Sequence, residues 1–399
     1  MPSRVQIAHL CFKEPGQIGS VNNLVQWQVG SLTEFQHVYL HSKIRTLFGK
    51  SDNTFLIRAK GWLAAVFLGL APDRVSSRIF SVQDSAQATW LLRTRELLKE
   101  LQPPVIVAHD HYKLGRWLRS FVNWPCRVVL TQHGYAYFAS EQDLYNLSWY
   151  DAVVFLTRAS YEYNRLHRHA MECAAEIIPN PIDTEKYRPS TLQDKLRARS
   201  EFGLPESAIV VTTVARQVPK KGVHIVLEAW HEIARRWPEA VLWVVGPVPS
   251  IYERRLHKIV QAGTGGGVVR FEGAVAAEEI PLVLAASDLF LFPSLCREGM
   301  GLTLYEALSS GILCVASKYP ELEEGVGEMP VEWVDIPNSP RYWAEAIGRA
   351  IQRLPHGDDV RWMQWQFVKR CYGKDVILDR WRQFYRAQIE LVRGGVPHA

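Results

Sequence analysis

What this chain lacks narrows its function first. The six cysteines, Cys11, Cys126, Cys173, Cys296, Cys314 and Cys371, stand singly, with no Cys-x-x-Cys pair and no Cys/His cluster at zinc-ligand spacing. A disulfide framework and a zinc module are therefore not expected. Buried free thiols are, as in Ile312–Leu313–Cys314–Val315, together with a reducing, cytoplasmic setting. No apolar run approaches the roughly 20 residues of a membrane-spanning helix; the most apolar stretch is Trp62–Pro72. The first residues do not read as a secretory leader, because Arg4, Gln6, Lys13 and Glu14 interrupt them. Dominance of one charge is missing too: 46 Lys and Arg face 41 Asp and Glu, a formal net charge of +5, which is no nucleic-acid footprint. Aspartate-rich metal sequences are absent. With 47% hydrophobic and 22% charged residues, disorder is excluded as well.

What is present is an alternation. Strand-like runs occur at Val5–Leu10, His37–Leu40, Val105–His109, Arg127–Gln132 and Ala152–Thr157. They recur at Ile209–Ala215, Ala240–Gly246, Val268–Gly273, Asp288–Pro293, Ile312–Ser317 and Val331–Val334. Several are β-branched on both faces, as parallel strands covered by helices on both sides are. Amphipathic stretches such as Gly222–Trp237 separate them. Doubly wound α/β units follow. Pro179-Asn180-Pro181 is the natural boundary, since two prolines within three residues end any ladder. The expected organisation is a Rossmann-like domain over 1–180, a second over 181–374, and a closing helix over 375–399. Gly263–Gly267 precedes a strand and not a helix, and reads as a loop. The first 180 residues carry 19 basic against 14 acidic side chains and the remainder 27 of each, so the excess positive charge lies in the first half.

The densest chemical signal is Phe292-Pro-Ser-Leu-Cys-Arg-Glu298-Gly-Met-Gly-Leu-Thr-Leu-Tyr-Glu306-Ala-Leu-Ser-Ser-Gly311. It reads strand, glycine-bearing loop, helix, glycine stop. Gly299 and Gly301 let a backbone approach a ligand closely. A helix opening near Leu302 or Thr303 offers free N–H groups and the positive end of its dipole, suited to a diphosphate. Glu298 precedes that anion site and Glu306 lies about one turn inside the helix. Carboxylates so placed suit hydroxyl groups on either side of a diphosphate; the plainer alternative is a loop charge and a solvated helix residue.

The segment resembles the E-x7-E motif of retaining GT-B glycosyltransferases, in particular glycosyltransferase family 4. Three other segments agree in order and spacing. Val214-Ala-Arg216-Gln-Val-Pro-Lys-Lys221-Gly222 is similar to that family's strand-end arginine followed by Lys-Gly. Ile178-Pro-Asn180-Pro-Ile-Asp183, with Tyr187 and Pro189, is similar to its crossover segment, and Ala276–Pro293 to its stretch of hydrophilic turn, helix and Ala-Asp-hydrophobic-Phe-hydrophobic-Pro-Ser. The resemblance covers residues 175–335 and only the layout of the N-terminal half. It implies that Arg216 and Lys221 neutralise the donor diphosphate, with Lys220 an alternative to Lys221. Glu298 would contact the transferred sugar, Glu306 the ribose, and the N–H groups of Met300, Gly301, Leu302 and Thr303 the phosphates. Glu14-Pro-Gly16-Gln-Ile-Gly19 is similar to the family's glycine-rich loop, though its two glycines stand apart. His133, in Thr131-Gln-His133-Gly134, would lie over the donor sugar. His109 and His111, in Ala108-His109-Asp110-His111, would lie on the acceptor side.

The expected activity is transfer of a sugar, with retention, from a nucleoside-diphosphate donor to an acceptor hydroxyl, in bacterial glycan, lipopolysaccharide or glycolipid synthesis. A phosphorylase or sugar-nucleotide epimerase on the same fold is the alternative, and a non-catalytic scaffold is disfavoured by the intact charged set. The family needs no metal, so no cofactor is expected. The acceptor is a saccharide, a lipid-linked molecule or a small molecule. The basic-aromatic stretches His41–Leu70 and Tyr112–Phe121 suggest that the N-terminal domain rests on an anionic membrane face, placing the chain at the inner side of a membrane.

Overall fold

The computed structural model describes residues 6–11, 20–40, 54–55, 82–135, 145–167, 173–262, 268–355 and 357–394. Glu14, Gly16, Gly19, the Gly263–Gly267 loop and His41–Leu70, apart from Thr54 and Phe55, lie outside them.

The chain divides into two compact units, Met1–Pro179 with Leu378–Ala399, and Asn180–Ile377. Each is a doubly wound, wholly parallel α/β sheet. In the first unit the strands are β1 Ile7–Leu10, β2 His37–Leu40, β3 Thr54–Phe55, β4 Val105–His109, β5 Arg127–Thr131, β6 Ala152–Phe155 and β7 Ala174–Ile177. Their order is β3-β2-β1-β4-β5-β6-β7. β1, β2, β4 and β6 are buried at every position, which is why they read as unbroken apolar runs. β7 is an exposed Ala-Ala-Glu-Ile edge with no apolar face, so its sequence carries little strand signal.

In the second unit β8 Ile209–Val214, β9 Ala240–Val245, β10 Val268–Gly273, β11 Leu289–Phe292, β12 Leu313–Ser317 and β13 Val331–Val334 take the order β10-β9-β8-β11-β12-β13. Helix Val223–Arg236 buries Val223, Val226, Leu227, Trp230 and Ile233 against this sheet, in one core with Trp343 and Ile347 of helix Pro340–Gln352. In both sheets the order reverses beside the first strand, between β1 and β4 and between β8 and β11. Ligands of open α/β sheets bind outside the carboxyl ends of the strands at such points.

One described element bears on the expected membrane face. In the Tyr112–Phe121 stretch the helix is only Leu114–Arg119, and Leu114, Trp117 and Leu118 are spent on the unit's own core. Arg119 is paired with Asp151 and also donates to the Trp149 carbonyl at 3.2 Å. This segment has no apolar face left for a bilayer, which corrects the expectation there. No helix among the described residues is long and apolar enough to cross a membrane. The last helix, Lys374–Arg393, buries Trp381 and Tyr385 in the first unit, where Gln388 accepts from Arg127 Nε at 2.9 Å and Arg382 pairs with Glu34.

Candidate active site

In the second unit the loops after β8 and β11 are bound together by the main chain. The Leu295 N–H donates to the Lys220 carbonyl at 2.8 Å. Gly222, at φ 70°, passes so close to β11 that a Cβ there would lie 1.8 Å from the Pro293 carbonyl oxygen. Only glycine fits such an approach in that conformation. The single turn Pro219–Lys221 ends at this glycine and aims Lys221 at the β11 loop.

Lys221 Nζ lies 2.6 Å from Glu298 Oε1, with both side chains partly buried. Ser294 Oγ donates to the same carboxylate oxygen at 2.5 Å, and Lys221 stands 5.9 Å from the Phe292 ring centre. The two residues assigned separately to phosphate and to sugar thus form one ion pair at the switch point. Lys220 is exposed and makes no ion pair among the described residues, so the structure brings Lys221, and not Lys220, to this place. Arg216 is exposed at the end of β8 and likewise has no ion-pair partner among the described residues, which leaves a cation available at the sheet edge.

The helix after the loop is Leu302–Ser309, entered through Gly301 at φ 77°, ψ 52°, with no side chain capping it. Its first N–H groups therefore keep their anion-binding capacity. A Cβ on Gly301 would meet Leu322 and Phe292 side chains at 2.9 and 3.0 Å. Met300 is buried, so its contribution is limited to its backbone. Glu306 keeps partial surface exposure, yet protein packs closely around its carboxyl. Burial pushes its pKa up to about 7, against the Tyr187 hydroxyl and the Lys186 charge, which pull it down. The Tyr187 segment is fixed by Ser309 Oγ, which donates to its carbonyl at 2.5 Å.

Two supporting residues escaped the sequence. Glu321 is fully buried; it accepts from Arg297 Nε and Nη2 at 3.0 and 2.8 Å and from the Glu298 N–H at 3.1 Å. It therefore holds the Glu298 backbone from outside the motif. Its only sequence signal is a carboxylate beside a proline at the start of helix Pro320–Val326. Gln217, also buried, donates to the Ala215 and Val245 carbonyls at 2.9 and 3.0 Å and fixes the loop that presents Arg216.

The switch point of the first unit is built differently. Four buried histidines from adjacent strands form a row: His37 on β2, His9 on β1, His109 on β4 and His133 just after β5. His37 Nε2 is 3.1 Å from the Leu32 carbonyl oxygen, His37 Nδ1 is 2.9 Å from His9 Nε2, His9 Nδ1 is 3.1 Å from His109 Nε2, and His109 Nδ1 is 2.9 Å from His133 Nε2. Burial holds His9 and His109 well below the ordinary imidazole pKa, and brings His37 to about 4 despite the Leu32 carbonyl and Glu34. Tyr385 lies edge-on to His9 and His37. Asp110, at φ 57°, clasps the strand ends: its N–H donates to the Thr131 carbonyl at 2.9 Å and its carboxylate accepts from the His133 N–H at 2.7 Å.

This arrangement corrects the acceptor-side expectation for His109. Both its ring nitrogens are used and the residue is 1% exposed, so its role is internal. His111 stands apart from the row, beside Trp90, with its carbonyl held by the Tyr150 hydroxyl at 2.6 Å. Gly16 and Gly19 lie outside the described residues. Among the described residues no His, Cys, Asp or Glu group has the arrangement of a metal site.

Residues 208–353 match the family model described as "Glycosyl transferases group 1". A GDP-mannose-dependent alpha-(1-6)-phosphatidylinositol monomannoside mannosyltransferase of Mycolicibacterium smegmatis is 31% identical over 176 residues, 42% of this chain and 44% of that protein. A UDP-Gal:alpha-D-GlcNAc-diphosphoundecaprenol alpha-1,3-galactosyltransferase of Escherichia coli is 27% identical over 241 residues, 57% and 61% of the two chains. The chain thus spans about half the length of the curated relatives it matches. Among solved structures, the sucrose-phosphate synthase of Thermosynechococcus elongatus superposes with a TM-score of 0.78 at 20% identity over 96% of this chain and 99% of that one. Anabaena HepE, solved with UDP and glucose, gives 0.73 at 17% identity over 96% and 100%. The fold is therefore GT-B in type, and the group 1 glycosyltransferase resemblance stands over residues 208–353.

Proposed function

We propose that this chain is a retaining, metal-independent glycosyltransferase that moves a sugar from a nucleoside-diphosphate donor to an acceptor hydroxyl. The observation that carries this reading is the convergence on one sheet edge of Lys221 and Glu298, the exposed Arg216, the uncapped start of helix Leu302–Ser309 and the enclosed Glu306. Without ligand, Lys221 and Glu298 neutralise each other. An arriving diphosphate takes Lys221 for itself and frees Glu298 to accept from sugar hydroxyls, so one exchange prepares both halves of the donor site. Glu306 accepts from the ribose hydroxyls, and the helix N-terminus holds phosphate oxygens.

In the transfer, the bond from the anomeric carbon to the leaving phosphate oxygen breaks, and a bond to the acceptor oxygen forms on the same face. The acceptor proton passes to the leaving phosphate. Negative charge grows on that phosphate as the bond stretches, and Arg216, Lys221 and the helix dipole stabilise it. This arrangement fills the place a divalent cation would otherwise take. The relatives' names support a lipid-borne acceptor, one a phosphatidylinositol monomannoside and the other a diphosphoundecaprenol. The excess of basic residues in the first 180 positions suits such an anionic acceptor at the cytoplasmic face of a membrane.

A thermal-shift screen with UDP, GDP, ADP and dTDP tests the donor site, since a ligand at 100-fold its dissociation constant adds about 2.7 kcal/mol of stability. Stabilisation by one of these, followed by transfer from its sugar to a prenyl-diphosphate or phosphoinositide glycan, is the expected result. Phosphate-dependent cleavage or epimer formation in place of transfer would overturn the reaction, and no stabilisation by any nucleotide would overturn the site.

A further inference from the structure

The histidine row of the first unit has a direction. A peptide carbonyl can only accept a hydrogen bond, so His37 must donate to Leu32 through Nε2. A neutral ring carries one N–H, so His37 Nδ1 must then accept, and it accepts from His9 Nε2. The same logic passes along the row: His9 Nδ1 accepts from His109 Nε2, and His109 Nδ1 accepts from His133 Nε2. One carbonyl at the far end dictates the tautomer of all four rings.

We propose that His37, His9 and His109 are positioning residues that lock His133 in its Nε2–H tautomer, making His133 Nδ1 a hydrogen-bond acceptor for a substrate hydroxyl. Reversing the row would set the lone pair of His37 Nε2 against the Leu32 oxygen 3.1 Å away in a buried site. Losing that bond and leaving both acceptors unsatisfied costs the reversed row at least tenfold, roughly, in population. The groups around the rings hold this state. Among the described residues their faces meet aromatic rings: His9 and His37 meet the edge of Tyr385, and His37 that of Phe35. Glu34 is the acidic group that acts on His37, and it is paired with Arg382. All three inner rings resist protonation through burial, so the one-proton count per ring holds at neutral pH.

The row is not a proton conduit, because a peptide carbonyl passes no proton onward. Its output is orientation. The Asp110 carboxylate holds the His133 backbone while the His109 ring holds Nε2, so the plane and the tautomer of the fourth ring are set independently. An acceptor nitrogen selects a hydroxyl donor and disfavours an anionic oxygen. The identification of that hydroxyl as a substrate's rests on the glycosyltransferase reading; the direction of the row does not.

Histidine-selective 15N labelling with two-bond 1H–15N correlation at pH 7.5 tests it, with His133 assigned by its loss in His133→Gln. All four rings are expected in the Nε2–H pattern. His133 found as the Nδ1–H form or as a cation would overturn the proposal, whatever the activity. His37→Phe removes the carbonyl anchor and is expected to turn the His133 signals into a tautomer average. His37→Gln, which can donate to Leu32 and accept from His9, is expected to keep the Nε2–H pattern; identical spectra from the two variants would overturn the relay. His37→Phe should also lower kcat about tenfold, the value of about one hydrogen bond, with unchanged affinity for the free nucleoside diphosphate. A wild-type chain with no transferase activity would sink the proposed function and leave the spectra to decide the relay. Should His37→Phe fail to fold, the wild-type spectrum alone decides.

Discussion

The two units share one sheet plan and treat its switch point in opposite ways. In the second unit it is lined by charged side chains on loops, the Lys221–Glu298 pair and exposed Arg216, with Glu306, its pKa raised to about 7, on the helix that follows. In the first it is lined by imidazoles, three from strands β1, β2 and β4 and one from the turn after β5, buried between 0% and 8% exposure. The topology fixes where a ligand is met and leaves open what meets it. On the proposed reading, a site for a diphosphate needs charge that can be exchanged, which loops allow because water can compensate a broken pair there. A site that orients a neutral hydroxyl needs only dipoles of fixed direction, so it can be built into the sheet.

The largest effect that would break this contrast is on rate. Lys221→Ala or Arg216→Ala should lower kcat about 10²-fold or more, because their interaction strengthens as the phosphate departs. Steady-state kinetics check it: a raised KM with parental kcat would mean that the charges only bind. Next in size is Glu306→Ala, which should weaken free-nucleotide binding by roughly 1.5–3 kcal/mol if the carboxylate holds the ribose. Calorimetric titration with equal affinities would remove Glu306 from the site.

A smaller effect sharpens the electrostatics. Glu306 has a folded-state pKa of about 7, raised above its ordinary value of 4.5 by burial. Its ionisation therefore costs the empty protein stability. The cost is absent below about pH 4.5, grows as pH rises towards 7 and is constant above it. Glu306→Gln should thus stabilise the empty protein by roughly 1–3 kcal/mol at pH 8 and by little at pH 5. Chemical denaturation at the two pH values reads this, and an equal or inverted difference would contradict it. Wild-type nucleotide affinity should fall below pH 7 as the carboxyl takes up its proton. The smallest expected effect is none: excess EDTA should leave transfer intact, and a loss restored by Mg²⁺ or Mn²⁺ would overturn the metal-free reading.

The strands were legible where they are buried on both faces. Val105–His109 and Val331–Val334 are read to the residue, while the exposed edge β7 is visible only in its last isoleucine. The charged site was legible because its parts cluster within the β8 and β11 segments, each a continuous motif. Glu321 and Gln217 were not, since a buried polar side chain is defined by backbone groups brought to it from elsewhere. The histidine row was half legible. His109 and His133 stand in recognisable strand ends, but His9 and His37 become their neighbours only through the order β2-β1-β4-β5, which sequence spacing does not reveal.

The joint between the Leu295 N–H and the Lys220 carbonyl has a further consequence. It is made of peptide groups, so it does not depend on what the neighbouring side chains are. Beside it, position 220, exposed and in no ion pair among the described residues, can be varied while the frame that presents it stays in place. Evolution or a laboratory library can then search nucleotide preferences at this edge by exchanging side chains alone, with the loop geometry inherited unchanged from one variant to the next.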